Sequence, residues 1–212
     1  MKKLFLLPLL IIFAENAFAQ SIPMTRGCTW VYTVTVGYMK EEQETTKTFT
    51  AKMKVIDYGF RSDGYSAALI TGNPQQYAFY EEDAKYDNRS VLIKTPEGKY
   101  YLLDLAGKKF TQLLKGDMGK LLKEETPLFA ENIKKGDVLC QPGEDSCAAK
   151  YHWSCTDIFS SSRTTKVYNM KNWDNTGTET WRITSNYGFE NFSYQHNGTP
   201  STVKAVLKQF QK

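Results

Sequence analysis

Thr48-Phe49-Thr50-Ala51-Lys52-Met53-Lys54-Val55 is the stretch that decides the fold of this chain. Phe49, Ala51, Met53 and Val55 alternate without a break with Thr48, Thr50, Lys52 and Lys54. Successive side chains of an extended chain point to opposite faces, so a period of two means a strand with one packed face and one wet face. Antiparallel sheets with one covered face leave that signature. Upstream, Trp30, Tyr32, Val34 and Val36 alternate with Val31, Thr33, Thr35 and Gly37, giving a partner strand whose one face is richer in large apolar side chains. Downstream, shorter runs at 65–71, 76–80, 90–94 and 99–103 are punctuated by Asp63-Gly64, Gly72-Asn73-Pro74 and Pro96-Glu97-Gly98. Those are turn sequences, and a β-meander is the natural result.

The period changes at Phe110. Phe110, Leu113, Leu114, Met118, Leu121 and Leu122 recur at helical spacing, with Lys109, Lys115, Lys120 and Lys123 on other faces. This predicts one amphipathic helix, weakened by Gly116 and Gly119 by up to ~1 kcal/mol each and ended before Pro127. A cysteine-bearing, loop-rich stretch follows at 132–162. Strands resume at 164–170, 178–184, 189–195 and 202–210, the last two joined by the turn at 196–200. The reading is an all-β, mainly antiparallel fold: a curved sheet or open barrel of about ten strands with one inserted amphipathic helix. One β-rich domain spans 20–212, with the helical and cysteine-bearing insertion at about 108–162.

Residues 1–19 read as a secretory signal peptide: Lys2 and Lys3, an apolar run at 4–13, and Ala17-Phe18-Ala19 as the small-x-small cleavage pattern. The apolar run is well short of the ~20 residues that cross a bilayer, and no later stretch approaches that length. The residue after the leader is Gln20, not a cysteine, so no lipid anchor is expected. The compartment is periplasmic or secreted, in a bacterium. Without the leader the chain carries 25 basic and 22 acidic residues, too balanced to point to nucleic acid.

All four cysteines, Cys28, Cys140, Cys147 and Cys155, lie beyond the leader. An even count in an oxidising compartment predicts two disulfides, with three pairings open. Cys140 with Cys147 is favoured because the turn-rich loop 141–146 lies between them, leaving Cys28 with Cys155. Gaps of six and seven residues do not match paired metal ligands, so no metal is expected.

Usual catalytic handles are missing. The two histidines are His152 and His196. His152 with Cys155 and Asp157 forms a thiol set on paper, but a bridged sulfur cannot attack. No nucleophile elbow, phosphate loop, dinucleotide fingerprint or zinc-protease helix occurs, so neither enzyme activity nor a cofactor is expected. Carboxylate runs at 81–83 and 124–125 fit solvated charge. Aromatic residues make up 14% of the chain and are threaded through the strands. They either fill a core or line an apolar cavity. The leading expectation is a non-enzymatic exported envelope protein binding an apolar or amphiphilic ligand, such as a lipid, in the curved sheet. Trp30, Tyr32, Phe49, Met53 and Trp181 are its candidate lining, and Phe110, Leu114, Met118 and Leu121 its candidate lid. The alternative is a structural or protein-interaction module with a filled core.

Pro23-Met24-Thr25-Arg26-Gly27-Cys28-Thr29-Trp30-Val31-Tyr32 resembles the opening of a group of uncharacterised exported bacterial proteins that begin P-x-x-x-G-x-x-W-x-Y. Glu179-Thr180-Trp181 followed by Tyr187-Gly188-Phe189 is similar to that group's closing pattern. The two ends cover about a fifth of the chain. The resemblance implies an envelope protein with a curved antiparallel sheet, in the manner of periplasmic lipoprotein-carrier half-barrels, and it carries no catalytic residues. Lipocalins fit less well, since Gly27 and Trp30 have two residues between them where that family places one.

Overall fold

The structure, a computed structural model, describes residues 22–105, 109–141, 152–173 and 176–212. The leader at 1–19 lies outside the described residues. The alternation around Phe49 is realised as two long strands, β1 (Thr29–Lys40) and β2 (Gln43–Phe60), paired in unbroken register from Thr29–Lys54 to Lys40–Gln43. β3 (Ser66–Thr71), β4 (Arg89–Lys94), β5 (Lys99–Asp104) and the two-residue β6 (Phe129–Ala130) continue the meander. The second half comprises the two-residue β7 (Val138–Leu139), β8 (Trp153–Ser160), β9 (Lys166–Trp173), β10 (Gly177–Thr184), β11 (Gly188–His196) and β12 (Thr202–Gln211).

All twelve strands form one antiparallel sheet in the order β6-β5-β4-β3-β2-β1-β12-β11-β10-β9-β8-β7. Chain neighbours are sheet neighbours throughout, and β1 pairing with β12 joins the two halves. Among the described residues only β6 and β7 remain as edges, and the sheet curls to bring those sides together. The Phe129 ring lies 5.1 Å from Tyr168 of β9, and Gln141 Nε2 donates to the Glu124 carbonyl at 2.6 Å. The result is an up-and-down barrel open along one seam. Both edges are short, which limits the backbone left free for pairing with another chain.

The interior is filled. Trp30, Tyr32, Met53 and Trp181 are wholly buried. Trp181 packs 4.9 Å from Phe189 and 4.8 Å from Phe192, and Trp30 packs 5.8 Å from Phe189. Each such ring contributes several kcal/mol of apolar burial, with a further ~0.5–1.5 kcal/mol per aromatic pair. The Trp30 indole donates to the Tyr187 carbonyl, and the Tyr32 hydroxyl to the Phe189 carbonyl at 3.1 Å, tying β1 to the start of β11.

Three sequence expectations are corrected. First, the single helix is two: α1 (Phe110–Lys115) ends at Gly116, and Asp117 caps α2 (Met118–Leu122) by accepting from the Lys120 amide at 3.0 Å. Second, these helices are not a lid. Phe110, Met118 and Leu122, with Leu114 and Leu121 beside them, cover Ala67, Leu69, Val91 and Ile93 on the outer face of β3 and β4. Strand β3 is buried on both faces, so it needs a cover outside as well as a core inside. Third, 76–80 is no strand. Pro74–Tyr77 is a 3₁₀ helix, and the segment 72–88 folds across the upper end of the barrel. There Tyr77 meets Phe49 at 5.1 Å, Tyr80 stacks on Tyr86 at 5.4 Å, and Phe79 reaches Tyr194 at 5.7 Å. Among the described residues no helix is long and apolar enough to cross a membrane.

Candidate functional site

The lower end of the barrel is built differently. The chain from Ile22 to Cys28 crosses beneath the sheet, with Ile22 and Met24 buried against the core. It is pinned where the Gly27 amide donates to the Val55 carbonyl at 2.9 Å and the Ser66 hydroxyl meets the Met24 sulfur at 3.9 Å. Beside it opens a groove of about 1020 Å³ between Met24, Tyr58, Phe60, Pro96, Tyr100 and Lys212.

A β-bulge aims two of these residues. Val55 pairs with Ile70 but Asp57 pairs with Leu69, so one residue of β2 is skipped and the side-chain phase flips. Tyr58 and Phe60 therefore stay on the inner face, opposite Ala68 and Ser66, and emerge at the mouth. They are 41% and 69% exposed, which for large aromatics marks them as surface available for contact. Sequence reasoning missed them because the strand ended at Val55 in the uninterrupted pattern; the phase shift itself, Val55 then Tyr58 and Phe60, was the available signal.

Two residues of the groove's polar wall, Lys94 and Tyr100, are held from behind by Glu131. Its Oε1 accepts from Lys94 Nζ at 2.7 Å and from the Tyr100 hydroxyl at 2.9 Å. Burial, and then the Glu131 carboxylate beside it, hold the Tyr100 phenol protonated far above its ordinary range. The residues lining the groove include lysines, hydroxyls and amides but no His, Cys, Asp or Glu. Such a lining offers cationic, hydroxyl and amide groups beside exposed aromatic rings, a combination suited to an amphiphilic ligand.

The residues expected to line an interior cavity sit elsewhere. Trp30, Tyr32, Met53 and Trp181 are core residues in contact with other rings, and Phe49 lies under the 72–88 segment. The paper thiol set is separated by its environment. Cys155 is a free thiol facing the core, and burial pushes its pKa up to about 11, which leaves it protonated and inert at neutral pH. Asp157 pairs with Lys135 at 3.0 Å, and His152 faces Trp173 at 6.0 Å. The Cys28–Cys155 bridge does not form: both thiols are free and buried. The Cys28 sulfur lies 3.1 Å from the Thr25 hydroxyl and the Cys155 sulfur 3.7 Å from the Asp157 carbonyl, so each has its own local contact. Cys140 is disulfide-bonded, and Cys147, its expected partner, lies outside the described residues.

The carboxylate runs find plain roles. Glu82 bridges Lys40 at 2.6 Å and Lys47 at 3.6 Å, and Glu124 and Glu125 edge a 270 Å³ pocket at the seam together with Gln75, Gln141 and Trp153. No group of three or more His, Cys, Asp or Glu able to hold a metal occurs among the described residues.

Comparison with known proteins adds little. No family model matches the chain, and no curated protein does. Two solved structures match. One, from Bacteroides fragilis, is described as an exported protein with a YmcC-like fold; it is 13% identical, with a TM-score of 0.40 over 90% of this chain and 98% of that one. The other, described as a lipoprotein of Parabacteroides distasonis, is 11% identical, with a TM-score of 0.33 over 90% of this chain and 97% of that one. Likenesses of that size carry no functional weight.

Proposed function

We infer that this is a non-enzymatic exported binding protein that takes an amphiphilic ligand, lipids included, at the open lower end of its barrel. The observation that carries this reading is the 1020 Å³ groove, lined both by the exposed rings of Tyr58 and Phe60 and by the cationic Lys212, with Lys94 beside them paired to Glu131. An apolar tail fits the rings, and an anionic head fits Lys212 and the hydroxyl and amide groups of Ser185 and Asn186. The ligand is placed at the mouth because the interior, expected to hold it, is occupied by aromatic side chains. Export rests on the signal-like leader at 1–19.

Isothermal titration with decanoate and with lysophosphatidylglycerol, each below its micelle concentration, tests this. Burying a Phe ring contributes roughly 1.5–3 kcal/mol, so Phe60→Ala should weaken binding about tenfold or more. Absence of binding to either amphiphile, or binding indifferent to Phe60→Ala, sinks the proposal. The filled interior also favours a second reading, a structural or protein-interaction module without a ligand. That reading predicts a co-purifying protein partner and a bare apo mass in native mass spectrometry of material from the source bacterium.

A further inference from the structure

Charge in this chain is balanced in number but not in space. No Asp or Glu occurs in 29–40, 45–56 or 191–212. The fold lays these three segments side by side as β2, β1, β12 and β11, with β10 and β9 next to them. Register fixes what their outer face presents. One row running across six strands reads Thr48, Thr35, Lys204, Ser193, Thr180 and Lys171. The next reads Thr50, Thr33, Val206, Asn191, Arg182 and Asn169. Lys52 and Lys54 extend the cationic face along β2, and Lys208 along β12.

Few acids intrude. Glu44 and Asp57 sit toward the far ends of β2, Glu190 is held by Arg182 at 2.7 Å, and Asp157, which pairs with Asn169 at the end of the second row, is held by Lys135 at 3.0 Å. The Arg182 guanidinium also lies 4.9 Å over the Phe159 ring, so it is fixed in place. Within the two rows a depression of about 220 Å³ opens between β9 and β12, lined by Asn169, Thr180, Arg182, Ser193 and Lys204 but by no carboxylate. At one end of the face Trp173 stands 60% exposed, two residues along β9 from Lys171 and so on the same side of the sheet.

We propose that this outer face binds an acidic polysaccharide, its lysines and Arg182 meeting carboxylate or sulfate groups, its threonine, serine and asparagine side chains meeting sugar hydroxyls, and Trp173 stacking on a sugar ring. The six strands span ~24 Å at ~4.8 Å each, room for several sugar units. Complementary charge supplies the attraction, and the dense hydroxyl and amide groups supply hydrogen bonds that a lipid headgroup layer does not require. A membrane-binding face would need a band of exposed apolar side chains to insert, whereas the two rows contain only Val206. Single-stranded nucleic acid would call for several stacking rings in a groove, and this face has one at its edge.

Affinity electrophoresis and titration of the full chain without its leader test the proposal, with polygalacturonate and heparin as probes and dextran as the neutral control. Binding to at least one acidic probe is expected, weakening steeply as salt rises from 50 to 300 mM, with dextran ignored. Lys204→Glu should weaken it about fivefold or more and Trp173→Ala several-fold, while Lys120→Glu on α2 leaves it unchanged. Lys204→Gln, which only removes the charge, should fall between wild type and Lys204→Glu, and circular dichroism establishes that each variant is folded. The proposal is overturned if neither acidic probe binds, or if Lys120→Glu weakens binding as much as Lys204→Glu. Tighter binding to 3:1 phosphatidylcholine–phosphatidylglycerol vesicles or to duplex DNA than to either glycan overturns it as well.

Discussion

Gly72→Ala should be among the most damaging single-methyl additions in this protein. Gly72 follows β3 with φ +71°, and a Cβ built there would lie 2.0 Å from the Lys52 carbonyl oxygen, 2.9 Å from its carbon and 3.5 Å from Met53 Cα. Those atoms are backbone of β2, held by the ladder that pairs Lys52 with Val31 and Lys54 with Thr71, and they cannot swing aside like a side chain. Two costs add: about 1–2 kcal/mol for a left-handed residue carrying a Cβ, and about 1–3 kcal/mol for forcing packed strands apart. Gly136 separates them, since its φ is +90° but nothing lies within 4 Å of its would-be Cβ. Gly136→Ala therefore carries the first cost alone, and the restriction of the unfolded chain is common to both variants. Urea unfolding followed by tryptophan fluorescence should place Gly72→Ala about 1–3 kcal/mol below Gly136→Ala. Equal midpoints would refute the register assigned to β2 and β3.

Other outcomes follow from the same contacts. Trp30→Phe should cost about 1 kcal/mol more than Trp181→Phe, because the Trp30 indole donates to the Tyr187 carbonyl while the Trp181 indole N–H is buried without a partner; thermal melts of the pair decide it. Glu41 and Glu42 form the β1–β2 turn with φ of 50° and 65°, so Glu41→Asn with Glu42→Gly should raise the melting temperature by about 2–4 °C. The thiols of Cys28 and Cys155 should react with a thiol reagent in denaturant and stay silent in the native protein. Because burial raises the folded Cys155 pKa from 9.0 to about 11, the unfolded chain ionises first, and stability should fall as pH rises from about 9 to about 11. Cys155→Ala should flatten that part of the pH profile, whatever its cost at neutral pH.

Much of this architecture can be read in the residues, and what cannot has identifiable causes. Unbroken alternation at 48–55 and 30–36 yields β1 and β2 with the correct inner faces. Strand β8 escaped because a bulge between Cys155 and Asp157 breaks its period, turning Trp153, Cys155 and Ile158 inward at spacings of two and three. The apolar run Ala67-Ala68-Leu69-Ile70 signals burial on both faces, which is what sends α1 and α2 to the outside. An even cysteine count does not say which thiols pair: Cys140 is disulfide-bonded, whereas Cys28 and Cys155 are free. The β1–β12 closure joins residues more than 160 positions apart and left no local mark, so the acid-free segments at 29–40 and 191–212 become one surface only in the folded chain.

An amide and indole ¹H–¹⁵N titration with decanoate tests the central claim, a filled barrel with its ligand at the mouth. The account predicts shifts confined to Tyr58, Phe60, Lys94, Ser185 and Asn186, with the indole signals of Trp30 and Trp181 unmoved. Movement of the Trp181 indole N–H, buried and unpartnered in the middle of the barrel, would instead place the ligand inside and contradict it.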